Sequence, residues 1–213
     1  MLITMQQMRD RFDINPQGVM HLGAHLGEEA PAYAAAGVSK VVWVEANSDL
    51  MPGLQDAVYP YRPEQIAIQA CVSDEDGKEV IFRRASFSMS SSILPMTGHL
   101  TYYPTIVEIG AEPIASITTD TLMKQHKLSP KRFDMVNIDL EGAELIALRG
   151  MPKLIKHLNW VYTEVYFEEL YAGCAILNEL DDFLSENGFD RTATEDTHMG
   201  WGDALYTRRS GSR

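Results

Sequence analysis

The sequence predicts an α/β fold, with a central, mostly parallel sheet closed by a C-terminal antiparallel hairpin. Three observations lead there. Short apolar runs alternate with helix-prone segments from residue 19 onward, as in strands joined by helical crossovers. The last two strand-like runs lie too close together for a crossover helix, so they pair as a hairpin. The first strand runs into a glycine turn, Gly23-Ala24-His25-Leu26-Gly27, which lets backbone pass close beneath a ligand.

The elements follow in order. After an N-terminal segment, residues 1–18, residues 19–24 read as a buried strand ending in glycine. Residues 28–36 are alanine-rich and helix-prone, with acids in the first turn and Gly37 as a stop. Residues 40–46 form a second strand, β-branched and aromatic, ending in an acid. Ser48 and Asp49 are placed to cap a short helix to about residue 57. Residues 66–72 make a third strand. Regularity then lapses. Residues 79–83 and 115–118 read as short strands around Ser86-Phe87-Ser88-Met89-Ser90-Ser91-Ser92, with His99, Tyr102, Tyr103 and Pro104 beyond it. So long a connection is either a poorly ordered insertion or a working lid or binding loop, and residues 75–121 are expected to be a substrate or lid region. The alternation resumes with a strand at 133–140, a helix through Leu145 and Leu148 that stops at Gly150, and a strand at 160–165. Ile176, Leu177, Leu180, Phe183 and Leu184 mark one face of an amphipathic helix ended by Gly188. The hairpin strands fall near 190–194 and 204–207, and residues 208–213 are expected to fray. With no internal repeat or linker, residues 1–213 are expected to form one domain.

Composition narrows the function. The chain has 213 residues, 45% hydrophobic and 23% charged, which excludes a collagen, a coiled coil or a disordered chain. Thirty acids against eighteen bases give a net charge of −12. Such a surface repels phosphate backbones and anionic lipid, so neither a nucleic acid nor a membrane is expected as partner. Cys71 and Cys174 lie in apolar contexts and read as buried free thiols. No leader-like or membrane-spanning apolar stretch is present, so a cytoplasmic protein is expected.

In an open parallel sheet, ligands bind beyond the carboxyl ends of the strands. That rim collects residues 23–28, Glu45, residues 71–74, residues 139–141 and Glu164. The glycine turn has the spacing Gly-x-x-x-Gly, without the Gly-x-Gly-x-x-Gly run of nicotinamide-binding proteins. Glu28 and Glu29 would oppose a pyrophosphate at the following helix, so a cationic or zwitterionic ligand fits better. Glu45 ends the second strand 22 residues after Gly23, where an acid grips the ribose hydroxyls of an adenosine. Its plainer reading is a strand-end acid paired with Lys40 or water. The third strand end, from Cys71 to Asp74, would flank the adenine.

These residues resemble the FkbM-like family of S-adenosylmethionine-dependent methyltransferases. The matching runs are Leu22-Gly23-Ala24-His25, Val44-Glu45-Ala46-Asn47, Ser90-Ser91-Ser92-Ile93-Leu94, the segment from Asp134 to Leu145 containing Asp139-Leu140-Glu141-Gly142-Ala143-Glu144-Leu145, Thr163-Glu164-Val165, and Gly200-Trp201-Gly202-Asp203-Ala204-Leu205-Tyr206. The resemblance implies a class I, Rossmann-like fold with a seven-stranded sheet and helices on both faces. It also implies S-adenosylmethionine as cofactor. Expected cofactor contacts are His21, Gly23, Ala24, His25, Gly27, Glu45, Ala46, Cys71, Val72 and Asp139. Two positions depart from the family pattern: His21 stands where many members carry an acid, and Asn137 where many carry lysine.

Methyl transfer from a sulfonium needs an in-line acceptor, and an alcohol acceptor also needs a base. Asp139 and Glu164, ending adjacent central strands, are the leading candidates, followed by Glu141. Glu141 also reads as a plain helix-start acid. Ser90, Ser91 and Ser92 are expected to hydrogen-bond cofactor or substrate, and His99 is a minor base candidate. The site is expected to work without a metal. In a variant, Asp139 and Glu164, with Glu141, present oxygens to Mg²⁺. Trp43, Trp160 and Trp201 are expected in the core, and His126 and His157 at the surface.

The expected function is O-methylation of a hydroxyl on a small molecule or glycan. The rivals are a nicotinamide-dependent oxidoreductase and a non-catalytic binding protein that keeps the fold. Glu28, Glu29, Glu45, Asp74, Asp139, Glu141 and Glu164 should gather along the strand-end rim, which suits a neutral or basic acceptor.

Overall fold

A computed structural model describes residues 1–62 and 64–211. In chain order its elements are α1 (Met5–Phe12), β1 (Gly18–Leu22), α2 (Ala30–Ala35), β2 (Lys40–Glu45), α3 (Met51–Val58), β3 (Gln65–Gln69), β4 (Cys71–Val72), β5 (Glu79–Ala85), α4 (His99–Tyr102), β6 (Glu108–Ile117), α5 (Thr119–Gln125), β7 (Met135–Ile138), α6 (Glu144–Arg149), β8 (Trp160–Tyr166), α7 (Leu177–Glu186), β9 (Phe189–Asp196) and β10 (Trp201–Arg208). Seven strands form the main sheet in the order β3-β2-β1-β7-β8-β10-β9. Strands β3, β2, β1, β7 and β8 are mutually parallel, and β10 runs antiparallel to both β8 and β9. The predicted parallel sheet with its terminal hairpin is therefore present. A second sheet, β4-β6-β5, is built from the middle region.

The apolar runs are continuous because both faces of the main sheet are covered. Side chains alternate along a strand. Met20 and Leu22 of β1 join Val42 and Val44 of β2 in one core, with Val136, Ile138, Leu148, Leu180 and Leu184. Val19, Val41, Trp43, Tyr33, Met135 and Tyr162 fill the other. Free thiols Cys71 and Cys174 are both buried, as expected. Among the described residues, no helix is long and apolar enough to cross a membrane.

Several expectations need correction. α2 begins at Ala30, after Glu28 and Glu29, because Pro31 favours a helix start and cannot sit inside one. Ser48 and Asp49 do not cap α3, whose N-cap is Leu50. Asp49 instead pairs with Arg84 at 2.6 Å. The third strand is two strands. Its first part pairs with β2 up to Gln69, and the Ala70 N–H still reaches the Glu45 carbonyl at 2.9 Å. Cys71 and Val72 then pair with β6 in the second sheet. Helices α1 and α5 were not expected. α1 carries a reciprocal cap, in which Thr4 Oγ1 accepts from Gln7 N–H at 3.2 Å and Gln7 Oε1 accepts from Thr4 N–H at 2.8 Å. α5 starts on Thr118, whose Oγ1 accepts from Thr121 N–H at 3.2 Å.

The tail does not fray at Arg208, which ends β10. Its guanidinium donates to the carbonyls of Leu158 (2.6 Å), Asn187 (3.1 Å) and Ile155, and lies 4.2 Å over the Phe189 ring. Arg209 continues through its N–H to Gly188 at 2.8 Å. Residues 212–213 of the expected tail lie outside the described residues. Charge-assisted bonds of this kind are worth about 1.5–3 kcal/mol each, although replacement water offsets part of that. Arg208→Ala is expected to lower the unfolding free energy by about 2–3 kcal/mol in urea denaturation. Arg208→Lys should recover little, since an ammonium cannot span three carbonyls as the planar fork does.

Candidate active site

The chain leaves β1 for β2 and β3 and returns through β7 on the other side of β1. At such a switch point the carboxyl ends of the two strands open a crevice. Its floor is a close backbone crossing. Gly23 has φ +82°, and a Cβ there would lie 1.7 Å from the Asp139 carbonyl oxygen. The Asp139 N–H holds the Leu22 carbonyl at 3.0 Å, and the Gly23 N–H holds that of Val44 at 2.9 Å. His25, also at positive φ (46°), turns its N–H to Glu45 Oε2 at 2.8 Å, while the Asn47 N–H reaches Oε1 at 2.7 Å. Each carboxylate oxygen of Glu45 is thus oriented by one backbone donor. Burial raises the Glu45 pKa, and these two bonds oppose the rise.

The resulting cleft has about 80 Å³ of free space and is lined by Gly23, His25, Glu45, Ala46, Cys71, Val72, Phe82, Ser91, Ser92, Ile93, Asp139 and Glu141, among others. The serine-rich loop covers it. Ser88 Oγ meets His25 Nε2 at 2.8 Å, and His25 Nδ1 meets Glu28 Oε1 at 2.6 Å. Ser92 Oγ donates to the Glu141 carbonyl at 2.7 Å and accepts from Leu94 N–H at 3.0 Å. Ser91 Oγ accepts from Ala85 N–H at 3.1 Å. The hydroxyls of Ser91 and Ser92, expected to bind a ligand, therefore shape the loop itself.

Asp139 and Glu141 are a shared wall. On their far side lies a chamber of about 220 Å³ that also meets Ser90, His99, Glu164, Tyr166, Tyr171, Trp201 and Asp203. One oxygen from each of Asp139, Glu141 and Glu164 lies within 4.8 Å of the others. Tyr171 donates its hydroxyl to Glu141 Oε2 at 2.6 Å, and Tyr166 donates to Glu164 Oε2. Glu144, buried behind them, accepts the N–H groups of Leu140 (2.8 Å) and Gly142 (3.2 Å). Among the described residues, no lysine or arginine lines either cavity. Burial, with neighbouring acids, pushes the Asp139 carboxyl up to about 8 and Glu144 to about 7. Glu141 and Glu164 rise well above the usual range, first by burial and next by Asp139 and Glu141 respectively. Asp139 is itself exposed, opening onto the cleft, so water there screens much of its shift.

The structure brings together Gly23, His25, Glu45, Ala46, Cys71, Val72 and Asp139 in the cleft, and Glu164, Ser90 and His99 in the chamber. It does not bring His21, Ala24 or Gly27 there. Ala24 is buried in the core, and a Cβ on Gly27 would press on Leu54 at 2.9 Å. His21 points sideways from β1, stacked on Trp43 with ring centroids 4.8 Å apart. Burial lowers its pKa to about 4, so it is neutral. It is registered opposite Asn137 on β7, whose Nδ2 donates to Tyr33 Oη at 2.9 Å, while Tyr33 Oη lies 3.2 Å from His21 Nδ1. The two departures from the family pattern are thus neighbours, and together they make a neutral polar cluster.

Among the rim acids, Glu28 reaches the cleft through His25, whereas Glu29 and Asp74 line neither cavity. Trp43 is in the core as expected, but Trp201 lines the chamber. Ser88, Phe82 and Ile93 in the cleft, and Tyr166, Tyr171, Trp201 and Asp203 in the chamber, were not anticipated as site residues. Tyr166 had a signal, since it lies two residues from Glu164 and shares its face. Asp203 lay in the matching run from Gly200 to Tyr206, but it meets Glu164 only through the register of β10 on β8.

A family model described as the Methyltransferase FkbM domain matches residues 21–191. Among solved structures, a Pyrococcus horikoshii protein provisionally titled an RNA methyltransferase is similar at 12% identity and a TM-score of 0.53, over 98% of this chain and 81% of that one. The Methanococcus jannaschii fibrillarin pre-rRNA processing protein is similar at 12% identity and a TM-score of 0.49, over 91% of this chain and 67% of that one. A search of curated proteins finds no match.

The uncompensated acids set a pH dependence. A carboxyl whose pKa is raised on folding stabilises the fold below its unfolded pKa, and that stability is lost as pH rises through the folded value. For Glu144 the window runs from 4.5 to about 7, and for Asp139 from 3.8 to about 8. His21 acts oppositely, costing stability as pH falls from 6.5 toward about 4. The acids outnumber it. The unfolding free energy of the ligand-free protein is expected to fall between pH 5 and 8, and Glu144→Gln should flatten that slope by up to about 3 kcal/mol. Urea denaturation at stepped pH measures it, and a rising slope would contradict the uncompensated cluster.

Proposed function

The chain belongs to the FkbM methyltransferase domain family, and on that premise we propose that it transfers the methyl group of S-adenosylmethionine to a hydroxyl of a small molecule or glycan. The observation that carries this reading is the shared wall: Asp139 and Glu141 face the Gly23–Glu45 cleft on one side and a separate chamber on the other. A donor and an acceptor held in those two spaces would meet across the carboxylates.

In this reading Glu45, fixed by two backbone N–H groups, accepts the ribose hydroxyls with its remaining lone pairs. Val72, Phe82 and Ile93 give the adenine apolar faces, and the glycine turn admits the cofactor backbone to backbone. The bound cofactor supplies an electrophilic methyl group and a positive charge that suits an acid-rich wall. Asp139, aided by Glu164, takes the acceptor's hydroxyl proton, and its raised pKa brings it nearer to working pH as a base.

A second reading adds Mg²⁺, favoured by the three oxygens within 4.8 Å. Asp139, Glu141 and Glu164 would hold it, with Tyr171 and Tyr166 orienting two of the carboxylates from behind. The ion would lower the pKa of an acceptor hydroxyl. We also take residues 1–213 as one catalytic unit with 75–121 as its acceptor-side insertion, acting in the cytoplasm on an acceptor other than nucleic acid. Two buried thiols and cavities without lysine or arginine support this.

Calorimetry with S-adenosylmethionine tests the premise, and no heat of binding to folded protein would remove it. Glu45→Gln is expected to weaken that binding by about tenfold or more, from lost charge-assisted bonds. Asp139→Asn and Glu164→Gln should lower turnover by about 10²–10⁴-fold with cofactor binding retained. Full activity in both would dismiss the base assignment. Turnover unchanged by a chelator would dismiss the metal.

A further inference from the structure

The chamber beyond Asp139 and Glu141 differs in character from the cofactor cleft. Rings make up much of its wall, Phe87, Tyr103, Tyr166, Tyr171 and Trp201, with His99 at 5.5 Å from Tyr171 between centroids, beside aliphatic side chains such as Ile106 and Leu170. The polar atoms on those rings are largely committed within the protein. Tyr171 and Tyr166 donate to Glu141 and Glu164, Trp201 Nε1 donates to Tyr103 Oη at 2.9 Å, and Tyr103 points its hydroxyl at Met199 Sδ, 3.1 Å away. What they offer a ligand is ring surface. Polar capacity is gathered at one end, in the second oxygens of the carboxylates. One further atom adds to it: Nδ1 of His99, a residue 4% exposed, has no hydrogen-bond partner.

A polyhydroxylated acceptor buried here would leave most of its hydroxyls without partners, at a cost for each. An acidic acceptor would meet four carboxyls and, among the described lining residues, no lysine or arginine; the ammonium of Met1, which also lines the chamber, is 3.7 Å from Glu29. The volume sets a scale as well: a dry apolar cavity of about 150 Å³ takes up benzene, and this chamber has about 220 Å³. Phe87 and Met89, both exposed, continue the apolar surface to its mouth.

Resting on the methyl-transfer reading above, we propose that the acceptor is an uncharged aryl hydroxyl, its ring among Tyr103, Trp201 and Phe87 and its oxygen at Asp139. The step balances. The phenolic proton passes to the Asp139 carboxylate, the oxygen's lone pair forms the new O–CH₃ bond, and the C–S bond breaks with its electrons going to sulfur. S-adenosylhomocysteine and an aryl methyl ether result.

The test is calorimetry on the full chain saturated with S-adenosylhomocysteine, titrated with 4-methylphenol, 4-methylcyclohexanol and methyl β-glucoside. The phenol is expected to bind at least tenfold more tightly than the other two, and Trp201→Leu or Tyr103→Leu to weaken it about fivefold, the scale of one aromatic contact. Labelled S-adenosylmethionine with 4-(hydroxymethyl)phenol, which carries both kinds of hydroxyl, should label the phenolic oxygen. Equal or tighter binding of either saturated compound, no saturable binding of the phenol, or label on the benzylic oxygen would overturn the inference. Failure of S-adenosylhomocysteine itself to bind would overturn the methyl-transfer reading and this inference with it.

Discussion

The close crossing of Gly23 and the Asp139 carbonyl is the constraint on which the site depends. At this point β1 and β7, paired in register, part at their carboxyl ends because the chain has gone outward in opposite directions from them. A side chain at Gly23 would push the strands apart by the space of a Cβ that has 1.7 Å to work with. With glycine there, the following turn swings the His25 N–H onto Glu45, and Asp139 comes to stand at the edge of the same cleft. The Gly23–Glu45 cleft, the placing of Asp139 and the loop anchor all descend from that one contact.

The second organising fact is electrostatic. Asp139, Glu141, Glu144, Glu164 and Asp203 gather at the sheet end, and among the described residues no lysine or arginine lines their cavities to answer them. Burial and mutual repulsion raise the pKa of such carboxyls, an effect the Met1 ammonium opposes at Asp139 and Asp203, and the protein orients them with hydrogen bonds: Tyr171 to Glu141, Tyr166 to Glu164, Tyr162 to Asp203, and backbone N–H groups to Glu144. These contacts orient each carboxyl while leaving lone pairs toward the cavities. The arrangement costs stability that the apolar cores on both sheet faces must supply, and it leaves a site suited to a cationic donor. One layer away, His21 and Asn137 avoid the same difficulty by being neutral and hydrogen-bonded around Tyr33.

Much of this was legible in the sequence where the signal is local. The buried strands showed as apolar runs, α7 as a stripe at helical spacing, and the cofactor turn as Gly23 with Glu45 at the next strand end. α1 was legible but overlooked, since Thr4 and Gln7 carry the capping-box pattern. Other misreadings have plain causes. His21 looked like a rim residue because it precedes the glycine, but alternation along β1 turns it onto the face that holds Val19 and Trp43. Ser91 and Ser92 do line the cleft, and nearby backbone groups take up part of their hydrogen-bonding capacity. The split at Ala70 could not be seen, because a strand that changes sheets keeps the same apolar composition.

By itself, then, the sequence determined the class of fold and most of the residues that meet in the Gly23–Glu45 cleft. Hydrophobic period, glycine at a positive-φ turn and an acid at a strand end are properties of a few consecutive residues. Tertiary structure alone decided the aromatic wall of the chamber. Asp203 meets Glu164 through the register of β10 on β8, Tyr171 reaches Glu141 across 30 positions, and Trp201 meets Tyr103 across 98. Pairings over such separations are set by sheet order and packing, which no local pattern encodes, and so the chamber and its aromatic wall exist only once the chain has folded.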